Sequence, residues 1–203
     1  VLINLFGLTV ALLLVRGFRG TNLFRTVFFM PNLIGGIVLG WLWQVIINGV
    51  LARYGVNITT NEWYGFWGLM IVMLWQQAGY MMIIYISGLQ AIPPELSEAA
   101  SIDGAGAWQT LWRVKLPMLM PSITICTFLT LTNGFKLFDQ NLALTNGMPS
   151  NRSQLLALNI YTTFYGRTGW AGAGQAKAVV FCAIVVLIAL LQLRLTHNRE
   201  VQQ

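Results

Sequence analysis

Apolar positions along this 203-residue chain come in long unbroken runs. Five runs stand out, over residues 1–15, 27–47, 66–89, 118–137 and 176–195, and most of the charges fall between them. The last four approach the roughly 20 residues that a helix needs to cross a bilayer. Only helices and closed barrels satisfy backbone polar groups in lipid, and runs that do not alternate select helices. The fold expected is therefore all-α, a polytopic transmembrane helical bundle with about five spans. The first run has only Asn4 and Thr9 as polar interruptions, is short for a span, and is followed rather than preceded by Arg16 and Arg19. This reads as a chain that begins inside a membrane helix, because a signal peptide places its cations first.

Composition supports lipid as the solvent. Hydrophobic residues make up 56% of the chain and charged residues 9%, against roughly 25% charged in an ordinary soluble domain. A net charge of +6 from 12 Lys+Arg and 6 Asp+Glu would suggest nucleic acid on a soluble protein. Here the cations lie mostly between apolar runs, as the positive-inside rule requires, and no nucleic-acid partner is expected. Arg16, Arg19, Arg25, Arg113, Lys115, Arg194 and Arg199 fall on one side of the expected bilayer. Arg53, Arg152, Arg167 and Lys177 fall on the other, and Lys136 lies inside a run. Seven cations against four make the first side cytoplasmic. Trp63 and Trp67 open the third run and Trp41 and Trp43 come late in the second, where indoles prefer the headgroup layer; Trp75 reads as packing. Cys126 and Cys182 lack ligand spacing and read as small apolar packing, and His197 reads as a solvated residue of the tail 196–203.

The stretch 90–117 differs in kind. It holds three of the six carboxylates, and Pro93-Pro94-Glu95 followed by Gly104 marks a helix start and stop. Leu96, Ala99, Ala100 and Asp103 share a face at i, i+3, i+4, i+7 spacing. A second short helix over about 107–115 runs into Leu116-Pro117. Reconnecting two spans takes a handful of residues, so a loop of this length is expected to dock on something.

The residues of this loop then become recognisable. Glu98-Ala99-Ala100, three residues, Gly104, nine residues and Val114-Lys115-Leu116-Pro117 resemble the EAA motif of ABC importer permeases. The match departs only in Val114, where that family has Ile. Arg25-Thr26-Val27-Phe28-Phe29-Met30-Pro31, Gly88-Leu89-Gln90-Ala91-Ile92-Pro93, Phe138-Asp139 and Thr145-Asn146-Gly147-Met148-Pro149 resemble the carbohydrate branch, of the maltose and glycerol-phosphate types. Met148 stands where that branch has the second Gly of a Gly-Gly-Pro turn. The resemblance implies a permease subunit in a bacterial-type inner membrane, with no catalytic residue, metal ligand or cofactor of its own. It implies coupling through Glu98, Ala99, Ala100, Asp103, Gly104, Leu116 and Pro117. ATP and Mg belong to two separate ATP-binding subunits. The other partners implied are a second permease subunit and an extracytoplasmic solute-binding protein.

A sugar path needs amides, hydroxyls and aromatic faces, and Gln76, Gln77, Tyr80, Asn133 and Phe135 supply them. Interhelical hydrogen bonding accounts for the same amides equally well. Lys136 and Asp139, at i, i+3, are expected to form a local ion pair. Gly35-Gly36 and Gly40 are expected at the contact with the second permease subunit. The alternative from another class, an ion-coupled secondary transporter or channel, needs intramembrane carboxylates, and the chain offers Asp139 alone at a run's end. A membrane enzyme lacks its nucleophile, metal cluster or paired acids. No phosphate-cradling G-x-x-x-x-G-K-[ST] occurs, so ATP hydrolysis must come from elsewhere.

Overall fold

In lipid an apolar run satisfies its N–H and C=O groups along its own backbone, and among the described residues every regular element is a helix. The computed structural model describes residues 1–17 and 19–197, with side chains up to 194. Arg199 and the rest of the tail beyond 197 lie outside the described residues. The helices are α1 (Leu2–Leu14), α2 (Thr21–Phe29), α3 (Gly36–Leu51), α4 (Glu62–Gln90) and α5 (Pro94–Ile102). α6 (Ala107–Thr110) continues through a π turn at Leu111–Lys115 into α7 (Leu116–Met118). Then come α8 (Met120–Phe135), α9 (Asp139–Leu144), α10 (Leu156–Tyr165) and α11 (Ala171–His197).

Three stretches are long and apolar enough to cross a membrane: Gly36–Tyr54, Glu62–Gln90 and Ala171–Arg194. The pair Ala107–Met118 and Met120–Phe135, bent by 68°, makes a fourth if taken as one broken span. α1 is apolar but 13 residues long. The expected run 27–47 is not one helix. α2 ends at Phe29, Met30–Leu33 form a 3-10 turn, and α3 starts at Gly36 after an extended Gly35. Pro31 lacks the N–H that would continue α2, and the Gly35-Gly36 pair favours an interruption. Trp41 and Trp43 therefore sit early in α3. Trp43 packs edge-to-face on Trp75 with ring centroids 5.5 Å apart, so it belongs to the packing rather than to an exposed aromatic belt.

The chain divides into two compact units. The first takes Val1–Met30, Gln77–Thr130 and the end of α11. Its core is apolar: Ile3, Val10, Ala11 and Leu14 of α1, Ala78, Met81, Met82, Tyr85 and Ile86 of α4, with Leu119 and Cys126. Tyr85 donates its hydroxyl to Asn4 Oδ1 at 3.2 Å, so the one amide in α1 is not left alone among apolar side chains. Gly79 lets α4 approach α2 closely, since a Cβ there would collide with the Phe28 carbonyl.

The second unit takes Pro31–Gln76 and Leu131–Ile188. Leu39, Ile58, Leu69, Val72, Leu137 and Leu144 form its core. α3 packs along α9. A Cβ at Gly36 would lie 2.7 Å from Asp139 Cβ, and one at Gly40 would lie 2.8 Å from Ala143 Cβ. These glycines, expected at a subunit contact, serve a helix of the same chain, while Gly35 has nothing within 4 Å. The loop that follows α9 is pinned by Asn141, which is fully buried. Its Nδ2 donates to Thr145 Oγ1 at 3.1 Å and to the Ser153 carbonyl at 2.9 Å, and its Oδ1 accepts from Leu155 N at 2.9 Å.

Candidate functional site

α5 starts where the local chemistry demands. Extended Pro93 caps it, Pro94 occupies the first turn, where a missing N–H costs nothing, and Glu95 stands at the positive end of the helix. It ends in a Schellman arrangement, with Gly104 N donating to Ser101 O at 3.1 Å and Ala105 N to Ala100 O at 2.9 Å. That geometry puts Gly104 at φ +79°, the left-handed region that favours glycine. A Cβ at Gly104 would meet nothing within 4 Å, so backbone conformation, not space, selects the residue.

The chain then turns through Gly106, whose N–H donates to Gln109 Oε1 at 3.0 Å, and α6 begins. Glu98, Ala99, Asp103 and Gly104 are exposed, and Ala100, Leu116 and Pro117 are half-buried. Ile102 is 86% exposed although apolar. The one ion pair among the described residues is Arg152 Nη1–Glu62 Oε2 at 3.3 Å. Glu95, Glu98 and Asp103 thus have no cation within the described chain. The site is a short helix with a small-residue, acidic, open face, followed by a hinge and a second helix.

The residues considered for a solute path are divided between the two units. Gln77 is buried on α4, and Tyr80 is half-buried one turn further along the first unit. Gln76, Asn133 and Phe135 belong to the second unit. Gln76 is engaged in interhelical bonds: its Oε1 accepts from Gln140 Nε2 at 2.7 Å and its Nε2 donates to Ile34 O at 3.5 Å. Phe135 packs edge-on to Phe181, with centroids 6.1 Å apart. Lys136 and Asp139 form no ion pair, because α8 ends at Phe135 and Phe138 caps α9, so the two residues do not share a helix face.

Sequence reasoning passed over Gln140 and Asn141 and named no partner for Gln44 or Lys177. Gln44 Nε2 donates to Leu144 O at 2.9 Å. Lys177 Nζ donates to Asn159 Oδ1 and Thr163 Oγ1, both at 2.8 Å, tying α11 to α10. The available signal was an amide or ammonium inside or beside an apolar run, each of which demands a partner. Among the described residues no group of three or more His, Cys, Asp or Glu converges as a metal site.

Comparison with known proteins places this geometry. Residues 3–198 match the family model described as "Binding-protein-dependent transport system inner membrane component". The chain is 45% identical over its full length to the "Probable starch degradation products transport system permease protein AmyD" of Thermoanaerobacterium thermosulfurigenes, 72% of which it covers. It is 32% identical over 96% of its length to the "Multiple sugar-binding transport system permease protein MsmF" of Streptococcus mutans, covering 70% of that protein. A chain of the crystal structure of "a bacterial ABC transporter involved in the import of the acidic polysaccharide alginate" matches the fold, with TM-score 0.79 at 19% identity over 95% of this chain and 72% of that one. The secondary transporter or channel weighed from sequence is not the family found. With a full-length family match, the chain belongs to the binding-protein-dependent transport inner membrane component family, and it is a multi-pass ABC importer permease subunit, a transport protein rather than an enzyme.

Proposed function

We propose that this chain forms one half of the translocation path for an oligosaccharide and is driven through the loop Pro93 to Pro117 by separate ATPase subunits. The observation that carries the reading is α5 itself. Its Glu98–Ala99 face lies open, its acids have no ion-pair partner among the described residues, and it hangs from helices otherwise suited to lipid. Small alanines permit close approach by a partner, Glu98 is available to a cation there, and Gly104 sets the angle to the next helix. ATP and Mg are bound on two ATPase subunits. A second permease subunit completes the path, and an extracytoplasmic solute-binding protein delivers the solute. Relatives named for starch degradation products and multiple sugars favour an oligosaccharide over a small ion. Gln77, Tyr80, Asn133 and Phe135 are the proposed path residues, offering amides, a hydroxyl and aromatic surface.

The test uses Glu98→Lys and Gly104→Pro in the complex reconstituted in liposomes. Both changes lie in the exposed loop, so membrane levels are expected to stay normal. Recruitment of the ATPase subunits and solute-stimulated ATP turnover should be lost, while Gly104→Asn, which tolerates φ > 0, should retain both. Wild-type transport by the Lys and Pro variants with the ATPase bound would remove the coupling role.

A further inference from the structure

The two helices of the exposed loop are chemically opposite. α5 and its cap carry Glu95, Glu98 and Asp103 and no cation, whereas Ala107–Met118 carries Arg113 and Lys115 and no carboxylate. The second helix also holds two of the chain's eight tryptophans. Trp108 is 69% exposed and Trp112 is 55% exposed. They stand one turn apart, with rings edge-to-face at 5.6 Å between centroids. Exposed Arg113 and half-buried Lys115 follow on the same segment, across the π turn Leu111–Lys115. Two open indoles on a segment with two cations and no carboxylate suit neither water nor a bilayer interior. They suit the headgroup layer, where the ring meets acyl carbon, the N–H meets water and the cation meets phosphate.

The backbone supports the same placement. The chain turns at Leu119, which is 1% exposed, and Ala107–Met118 makes an angle of 68° with Met120–Phe135. Membrane-crossing helices tilt on average about 20° from the bilayer normal. A segment bent this far from α8, at its membrane entry, runs closer to the membrane plane than to the normal.

We propose that Ala107–Met118 is an interfacial anchor, with Trp108 and Trp112 seated in the headgroup layer of the cytoplasmic leaflet and Arg113 and Lys115 on lipid phosphates. The proposal rests on the cytoplasmic, coupling reading of the loop. It divides the work between the two helices. The acids of α5 are repelled by an anionic leaflet and stay available to protein, while the basic helix holds the lipid. The hinge at Gly104–Gly106 separates them. A push delivered to α5 then meets a helix that cannot lift off the membrane, and the displacement passes into α8 as tilt.

The test uses the full complex in nanodiscs of phosphatidylcholine and phosphatidylglycerol, with Cys126 and Cys182 replaced by Ala. Nitroxides are attached in turn at Trp108→Cys, Trp112→Cys and Ser101→Cys. The labels at 108 and 112 are expected to collide more with oxygen, which concentrates in lipid, than with a water-soluble nickel chelate. Nickel access at both, or shielding from both reagents, would place them in water or in a protein interface and overturn the anchor. The label at 101 reads the coupling role separately, being shielded only when the ATPase is bound. A Trp108→Ala/Trp112→Ala pair should keep the ATPase bound and lose solute-stimulated turnover. Release of the ATPase by that pair would assign the indoles to the protein interface and also overturn the proposal.

Discussion

At the residue scale, buried polar side chains decide which positions tolerate change. Asn141 is 0% exposed and its amide serves three partners across the loop after α9. Asn141→Ala takes the amide partner from the Ser153 carbonyl and the Leu155 N–H, while Thr145 Oγ1 keeps Ser153 Oγ, at a cost of roughly 1–3 kcal/mol for each buried group left unpaired. A clearly lower melting temperature of the detergent-solubilised complex is expected, and a melt unchanged from the parent would remove Asn141 from the framework. Gln76 and Gln77 are neighbours, and of the two only Gln77 is proposed for the solute path. Gln76 links Gln140 to Ile34, so Gln76→Leu should lower the melting temperature. Gln77→Ala should shift substrate affinity in equilibrium binding or uptake assays while the ATPase stays attached. A change in affinity from Gln76→Leu alone would exchange the two assignments.

At the element scale, close helix approach is the recurring device. Gly40 lies against Ala143, with a would-be Cβ 2.8 Å from the Ala143 Cβ, whereas Gly49 on the same α3 has nothing within 4 Å. Gly40→Leu overfills the α3–α9 seam, at a typical cost of about 1–3 kcal/mol. Gly49→Ala instead gains helix propensity, up to about 1 kcal/mol. Thermal melts of the two variants should move in opposite directions, and a shared direction would refute the seam.

The same helices show what was legible in the sequence. The ends of α5 were readable because Pro94 and Gly104 are local signals, each acting through its own φ. The interruption between α2 and α3 was not, because average hydropathy runs across Pro31 and Gly35-Gly36 without a drop. Gly36 and Gly40 announced that something comes close, but nothing local says which helix, and the partner proved to be α9 of the same chain. α9 and α10 were missed because they are short and lie in a stretch that mixes amides, hydroxyls and aromatics without a clear period. Asn141 itself was readable only as an amide needing a partner, since Ser153 and Leu155 lie across a loop whose path no local pattern specifies.

At the scale of the whole molecule, the exposed apolar surface speaks for assembly and for lipid. From 175 to 194 no residue of α11 is buried, although the segment is long and apolar enough to span. On the proposed half-path reading, transport in liposomes is expected only after co-expression with a second permease subunit. Full transport by the purified lone chain would contradict this. Which side the loop occupies, and what covers it, is the central claim. Its most direct measurement is maleimide labelling of Ser101→Cys, again with Cys126 and Cys182 replaced by Ala. The account predicts no labelling by an impermeant reagent in intact cells, slow labelling in inside-out vesicles carrying the ATPase subunits, and fast labelling once those subunits are stripped. Strong labelling from outside the cell, or a rate in vesicles indifferent to the ATPase, would contradict it.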